Sequence, residues 1–253
     1  MYPALFRVGG VVADTYYVLW FIALSLALLW TVRRFPLYGI DDDEGRRVAG
    51  WGFVGMLVGA RAFEYIWNFS TYWNNPLLIL DLNSGGLSEV GALCGALATP
   101  AALCRRNPKI SLGRFYDAGC PPVFFALTLG RWGCFFAGCC VGVRSSFPAS
   151  LHFPYDPPAV TRHPVQIYYS LSAAAILILL LSVEKWSFKR GVPRYSLITP
   201  LGFILYSLMR FSIDSLRDLE KSGLLLSHGV LIAGLPFAVA WLAISWRAFR
   251  RRT

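Results

Sequence analysis

The chain has 253 residues, of which 56% are hydrophobic and only 15% charged, with nine Trp, twelve Tyr and a formal charge of +10; its mean hydropathy is +0.51. Soluble domains carry charge on roughly 25% of their residues, so an ordinary water-soluble fold is excluded and a single membrane bundle over 1–253 is expected. The positive charge does not point to nucleic acid, because it is gathered in the connections on one side of the apolar stretches.

A spanning helix needs roughly 20 mostly apolar residues. Seven stretches approach that length: 16–32, 49–67, 85–104, 120–138, 164–183, 197–213 and 229–246. The predicted fold is therefore all-α, a polytopic integral membrane bundle of about seven transmembrane helices. One cation, Arg7, precedes the first stretch, which is long enough to span and is expected to be a membrane helix and not a cleaved signal peptide. The second, third and fourth stretches are rich in Gly and interrupted by charge. Small residues let helix backbones approach closely, so these read as interior helices. Between the fourth and fifth lies a connection over about 141–163 holding Pro148, Pro154, Pro157 and Pro158, with Pro164 at its edge; it is expected to fold as a non-cytoplasmic cap or arm.

The distribution of cations sets the expected orientation. Sixteen fall on one side: Arg33, Arg34, Arg46 and Arg47, then Arg105, Arg106, Lys109 and Arg114, then Lys185, Lys189, Arg190 and Arg194, and finally Arg247, Arg250, Arg251 and Arg252. Five fall on the other: Arg7, Arg144, Arg162, Arg217 and Lys221. The first terminus is thus expected outside and the last in the cytoplasm, its basic tail anchoring on anionic lipid.

Arg61, Arg131 and Arg210 remain, each within a span. An Arg at membrane depth costs roughly 2.5 kcal/mol or more, so anionic partners are expected. Glu64 and Asp214 stand three and four residues after Arg61 and Arg210, on the same helical faces, which allows internal ion pairs. Arg131 has no acid within a turn, and a phosphate matches the planar fork of its guanidinium. Two or three such groups within a bilayer suggest a phospholipid headgroup. Glu89 falls inside the third stretch, where a carboxylate is suited to proton transfer or to pairing with a buried Arg. Arg162, His163 and Gln166 open the fifth helix, near amides that favour anions.

Cys134, Cys139 and Cys140 form the run GCFFAGCC. It lacks a CxxC spacing and holds no His, a weak pattern for zinc, and no metal is expected. Packing, redox chemistry and acyl-type thiol chemistry all remain open for it. The six cysteines in total are too few, and their surroundings too apolar, for a secreted disulfide scaffold.

Taken in order, Tyr17, GARAFEY with Arg61, GGLS from Gly85, GRWGCF from Gly130, RHPVQIY from Arg162 and YSLMRFSID from Tyr206 resemble the bacterial prolipoprotein diacylglyceryl transferase family. The resemblance implies a seven-helix inner-membrane protein with a periplasmic first terminus. It also implies transfer of the diacylglyceryl group of phosphatidylglycerol to a lipobox cysteine of a prolipoprotein, with release of glycerol phosphate and no cofactor. By resemblance Arg131 holds the phosphate, Arg210 stabilises it as it leaves, and Tyr17 and Tyr206 line the site; Asp214 is a further catalytic candidate and Tyr168 a further candidate for lipid contact. The chain departs from the family pattern at Cys134, Ala137 and Cys139, where polar residues are usual. It also has Val90 for a His, Tyr169 for a Glu, and Asp214 for the longer Glu. These departures leave two alternatives: a phospholipid-headgroup enzyme with another acceptor and a cysteine relay, and a non-catalytic lipid-binding membrane protein.

Overall fold

A computed structural model describes residues 4–8, 11–73, 75, 77, 87–107, 109–189, 196–218 and 221–250. A short antiparallel hairpin, β1 (Ala4–Val8) and β2 (Val11–Asp14), leads directly into the first helix. The helices are α1 (Thr15–Arg34), α2 (Asp42–Trp67), the short α3 (Phe69–Trp73), α4 (Glu89–Arg106), α5 (Leu112–Ala137), α6 (Val165–Lys189), α7 (Ile198–Asp214) and α8 (Lys221–Arg250). The seven long helices coincide with the seven expected stretches, and the chain is an all-α membrane bundle. Three of them, within Thr15–Tyr38, Val165–Lys189 and His228–Ala248, are long and apolar enough to cross a membrane. They turn large apolar side chains outward: Phe21 and Leu29 on α1, Leu171 and Ile178 on α6, Phe237 and Ile244 on α8. Such faces need lipid, not water, as their solvent. The hairpin and α3 were not expected. The start of the GGLS run, Gly85 and Gly86, lies outside the described residues.

α2 begins earlier than its apolar stretch because its polar first turn is capped. Asp41 accepts from the amides of Asp43 and Glu44 at 3.2 Å, and Asp42, Asp43 and Glu44 place negative charge at the amide end of α2.

The chain divides into two compact units, one of 1–34 with 116–253 and one of 35–115. In the second unit α2 and α4 lie backbone to backbone. Gly55 and Gly59 face Gly91 and Gly95, and a Cβ at Gly59 would sit 3.1 Å from the Gly95 Cα. Each helix thus carries a GxxxG, which permits this approach where larger residues would hold the helices apart.

In the first unit, Val165, Tyr169, Ala173, Ile176 and Leu180 recur every three or four residues along one face of α6. They are buried against Phe124 of α5 and Ile198, Met209 and Ile213 of α7. Asp117 of α5, itself buried, caps α7 from outside the helix. Its carboxylate accepts from the amides of Leu197 (3.1 Å) and Thr199 (2.8 Å) and from the hydroxyls of Ser196 and Thr199. Arg34, expected among the loop cations, is instead buried at the end of α1, paired with Glu184 of α6 and donating to the Ala118 carbonyl at 2.8 Å. α1 and α5 meet at Gly130 and Gly133, where a Cβ would be 2.7 Å from the Trp20 ring and 3.2 Å from the Tyr16 carbonyl.

The connection from Gly138 to Pro164 is held by isolated bridges, Arg144 with Arg162, Leu151 with Arg162 and Gly142 with Arg217. Gly142 threads between two backbone segments. A Cβ there would meet the carbonyls of His163 (2.5 Å) and Leu216 (2.8 Å).

Candidate active site

Arg131 is buried on α5, and its guanidinium carbon stands 4.3 Å from the centre of the Tyr169 ring on α6. Arg210, buried on α7, approaches the same ring at 5.8 Å. One phenol thus presents its π system to two cations, an attraction worth about 2 kcal/mol for a desolvated pair. The Tyr169 hydroxyl donates to Asp214, whose other oxygen accepts from Arg210 Nε at 2.9 Å. His228 of α8 brings Nε2 within 3.0 Å of that second oxygen, and Arg217 Nη1 lies 4.0 Å from the first. Asp214 is 1% exposed. It therefore ties α6, α7 and α8 together through one carboxylate.

Two guanidinium groups, those of Arg210 and Arg217, lie against this carboxylate, and that of Arg131 stacks on the tyrosine bonded to it. Local positive charge in buried, low-dielectric surroundings favours a polyoxyanion. Arg217 Nε is buried with no hydrogen-bond partner among the described residues, so it has a donor to offer such a ligand.

The family model for prolipoprotein diacylglyceryl transferase matches residues 3–246. The chain belongs to the prolipoprotein diacylglyceryl transferase family. It is 28% identical to the phosphatidylglycerol–prolipoprotein diacylglyceryl transferase of Idiomarina loihiensis over 97% of this chain and 92% of that protein. It is 30% identical to the protein of the same name from Clostridium novyi over 86% and 84%. With the one from Pseudomonas putida KT2440 it shares 26% over 99% and 95%.

For a member of this family the sequence-predicted residues fall into three groups. Arg131, Arg210 and Asp214 come together as described. Gln166, 1% exposed, lies on the same α6 face as Tyr169 and donates from Nε2 to the Cys139 carbonyl at 2.6 Å. His163 and Tyr168 contact each other, with Nδ1 3.2 Å from the phenol oxygen. Tyr206 packs edge-on against Phe124 in the α6–α7 core.

A second group has other tasks. Arg162 is engaged by the arm and the end of α7. Its Nε donates to both oxygens of Asp156 (2.9 and 2.8 Å) and its Nη1 to Asp218 (2.5 Å) and the Gly142 carbonyl (3.2 Å). These bonds pin the arm. The hydrogen bond from Arg162 holds the Asp156 carboxyl below the usual carboxylate range, and Asp156 in turn raises the guanidinium. Tyr17 is exposed, and its neighbour Tyr16, 5.2 Å away ring to ring, is the tyrosine that lies beside Arg131 and the cysteines. Glu89, expected at membrane depth, is an exposed first-turn residue of α4 next to the Ser88 cap, where it complements the helix dipole. Arg61 is buried in the other unit, 5.7 Å from the Tyr72 ring, while Glu64 accepts from Asn68 at 2.7 Å.

The third group is the thiols. Cys134, Cys139 and Cys140 converge at the end of α5, their sulfurs all within 4.8 Å of one another.

Arg217, His228 and Tyr16 lie at the candidate site and were not singled out as site residues from the sequence, and Tyr169 was noted only for standing where the family has a Glu. Tyr169 could have been found, being three residues after Gln166 on one helical face. His228 carries no local signal, since only the packing of α8 on α7 brings it to Asp214.

Proposed function

We propose that this protein transfers the diacylglyceryl group of phosphatidylglycerol to the thiol of a prolipoprotein lipobox cysteine and releases glycerol phosphate. The observation that carries the reading is the pairing of Arg131 and Arg210 across the Tyr169 ring, beside a carboxylate that orients one of them. The names of the relatives, which cover nearly the whole chain, agree with it. In this reaction the acceptor sulfur attacks the glyceryl carbon that bears the phosphate. The C–S bond forms as the C–O bond breaks, and the electron pair leaves on the phosphate oxygen. Arg131 and Arg210 neutralise the charge developing there.

The thiol proton needs an acceptor, a role we assign to His228; its contact with Asp214 at 3.0 Å supports this reading. The protein sits in the bacterial inner membrane with its first terminus periplasmic and its last cytoplasmic. The one-sided distribution of cations supports that orientation. The arm pinned by Arg162 then lies on the periplasmic face, where the acceptor arrives.

The test uses purified protein, labelled phosphatidylglycerol and a lipobox peptide. Glycerol phosphate released together with a lipidated peptide is the expected result, and it should be lost in Arg131→Ala. Headgroup release without peptide labelling would identify a different acceptor. Saturable lipid binding with no turnover would show a lipid-binding protein instead.

A further inference from the structure

We propose that Cys134, Cys139 and Cys140 form a three-thiolate binding site for a thiophilic d10 cation, Cu(I) or Zn(II), at the junction of α5 and the arm. The sequence spacing hides this site, because Cys134 lies on the helix and the other two follow its end. The turn brings them together. Gly138 takes φ 72°, Cys140 takes φ 58°, and the Cys139 amide donates back to the Cys134 carbonyl at 3.1 Å. A non-glycine residue in the left-handed region costs on the order of 1–2 kcal/mol. Packing of a small apolar side chain gives no reason to accept that cost, whereas a shared ligand does. Gln166 fixes the same turn from α6 through its bond to the Cys139 carbonyl.

The geometry and the charge both fit. Metal–sulfur bonds of about 2.3 Å in trigonal or tetrahedral arrangement put sulfurs roughly 3.8–4.0 Å apart. The three sulfurs lie within 4.8 Å of one another, so closure needs a contraction of under about 1 Å. Cys134 is buried and the other two are half-buried, which shields the site while leaving an approach. On binding, each S–H releases its proton to buffer as the sulfur takes up the cation. Three thiolates with Cu(I) or Zn(II) carry net negative charge, and the guanidinium of buried Arg131, three residues before Cys134 on the same side of α5, offsets it. All-sulfur donation selects soft ions over Mg(II) or Ca(II).

The test titrates the full-length, detergent-solubilised protein, reduced and anaerobic, with Cu(I) against a bicinchoninate competitor and with Zn(II) against a chromophoric chelator. Co(II) serves as the absorbing substitute for zinc. One equivalent of either ion, with thiolate-to-metal absorbance, supports the site, and the tighter of the two names the ion. Cys139→Ala and Cys140→Ala should each weaken binding by roughly 100-fold, and Cys139→Ser, nearly isosteric, should weaken it likewise with helical circular dichroism unchanged. Cys94→Ser, remote in sequence and exposed, should bind as wild type. Failure of folded, reduced wild type to take up one equivalent overturns the proposal. So does equal uptake by the triple alanine variant, or a disulfide joining two of the three in the isolated protein with no metal uptake after reduction. None of these readouts depends on transferase activity.

Discussion

Asp214→Asn removes the charge at the centre of the candidate site while keeping its volume. The carboxylate accepts from Arg210 at 2.9 Å and from Tyr169, and faces His228 at 3.0 Å, all at 1% exposure. At about 3 Å and an effective dielectric of about 20, two unit charges attract by roughly 5–6 kcal/mol. Desolvation already spent on the pair offsets much of that, and removing one partner of a buried pair costs about 3–5 kcal/mol net. If about 3 kcal/mol of this is expressed in the transition state, turnover falls by on the order of 100-fold. Asp214→Glu retains the charge with one more methylene, the residue usual in the family, and is expected to stay within about tenfold of wild type. The assay follows glycerol phosphate release from labelled phosphatidylglycerol, alongside thermal unfolding in detergent. Asp214→Asn with wild-type turnover and melting temperature would refute the role of this carboxylate as the hub of α6, α7 and α8.

Arg131→Ala should lower transfer by about 100- to 1,000-fold, the usual effect of losing one oxyanion donor. Arg131→Lys should recover only part of this, because the ammonium keeps the charge but not the planar fork stacked on Tyr169. Gly95→Val should unfold or separate the α2–α4 pair, since a Cβ there runs into the Gly55 carbonyl, while Gly50→Ala should melt as wild type because nothing lies within 4 Å of its Cβ. The arm should loosen in acid. The Asp156 carboxyl is depressed in the folded state, so its contribution is fully present above its unfolded value of about 3.9 and is lost as pH falls through the lower folded value. Limited proteolysis of the arm should therefore accelerate below about pH 4, and Asp156→Asn should show the fast rate at every pH.

Residue spacing made much of the site legible. Arg210 and Asp214 sit one helical turn apart, and the predicted ion pair is there at 2.9 Å. The depth of Arg131 and Arg61 was equally legible, because apolar neighbours on both sides leave a guanidinium no way out within a helix. The position of Glu89 in the first turn of α4 was not legible. The serine before it caps α4, and a helix start is a tertiary and solvation event that a hydropathy window smooths over. Nor were the partners of Arg162 legible, because Asp156, Asp218 and Gly142 become its neighbours only when the arm folds back on the end of α7.

Composition and periodicity alone determined that this chain is a helical membrane protein with cations fixed inside it, since the free energy of apolar burial and the penalty for buried charge act locally along a helix. The tertiary structure alone decided which groups come together. The three thiols meet at the local turn that ends α5, whereas Tyr169 beneath two arginines and His228 against Asp214 are contacts between different helices. No intrinsic preference of a short segment specifies them; the packing of α5, α6, α7 and α8 does.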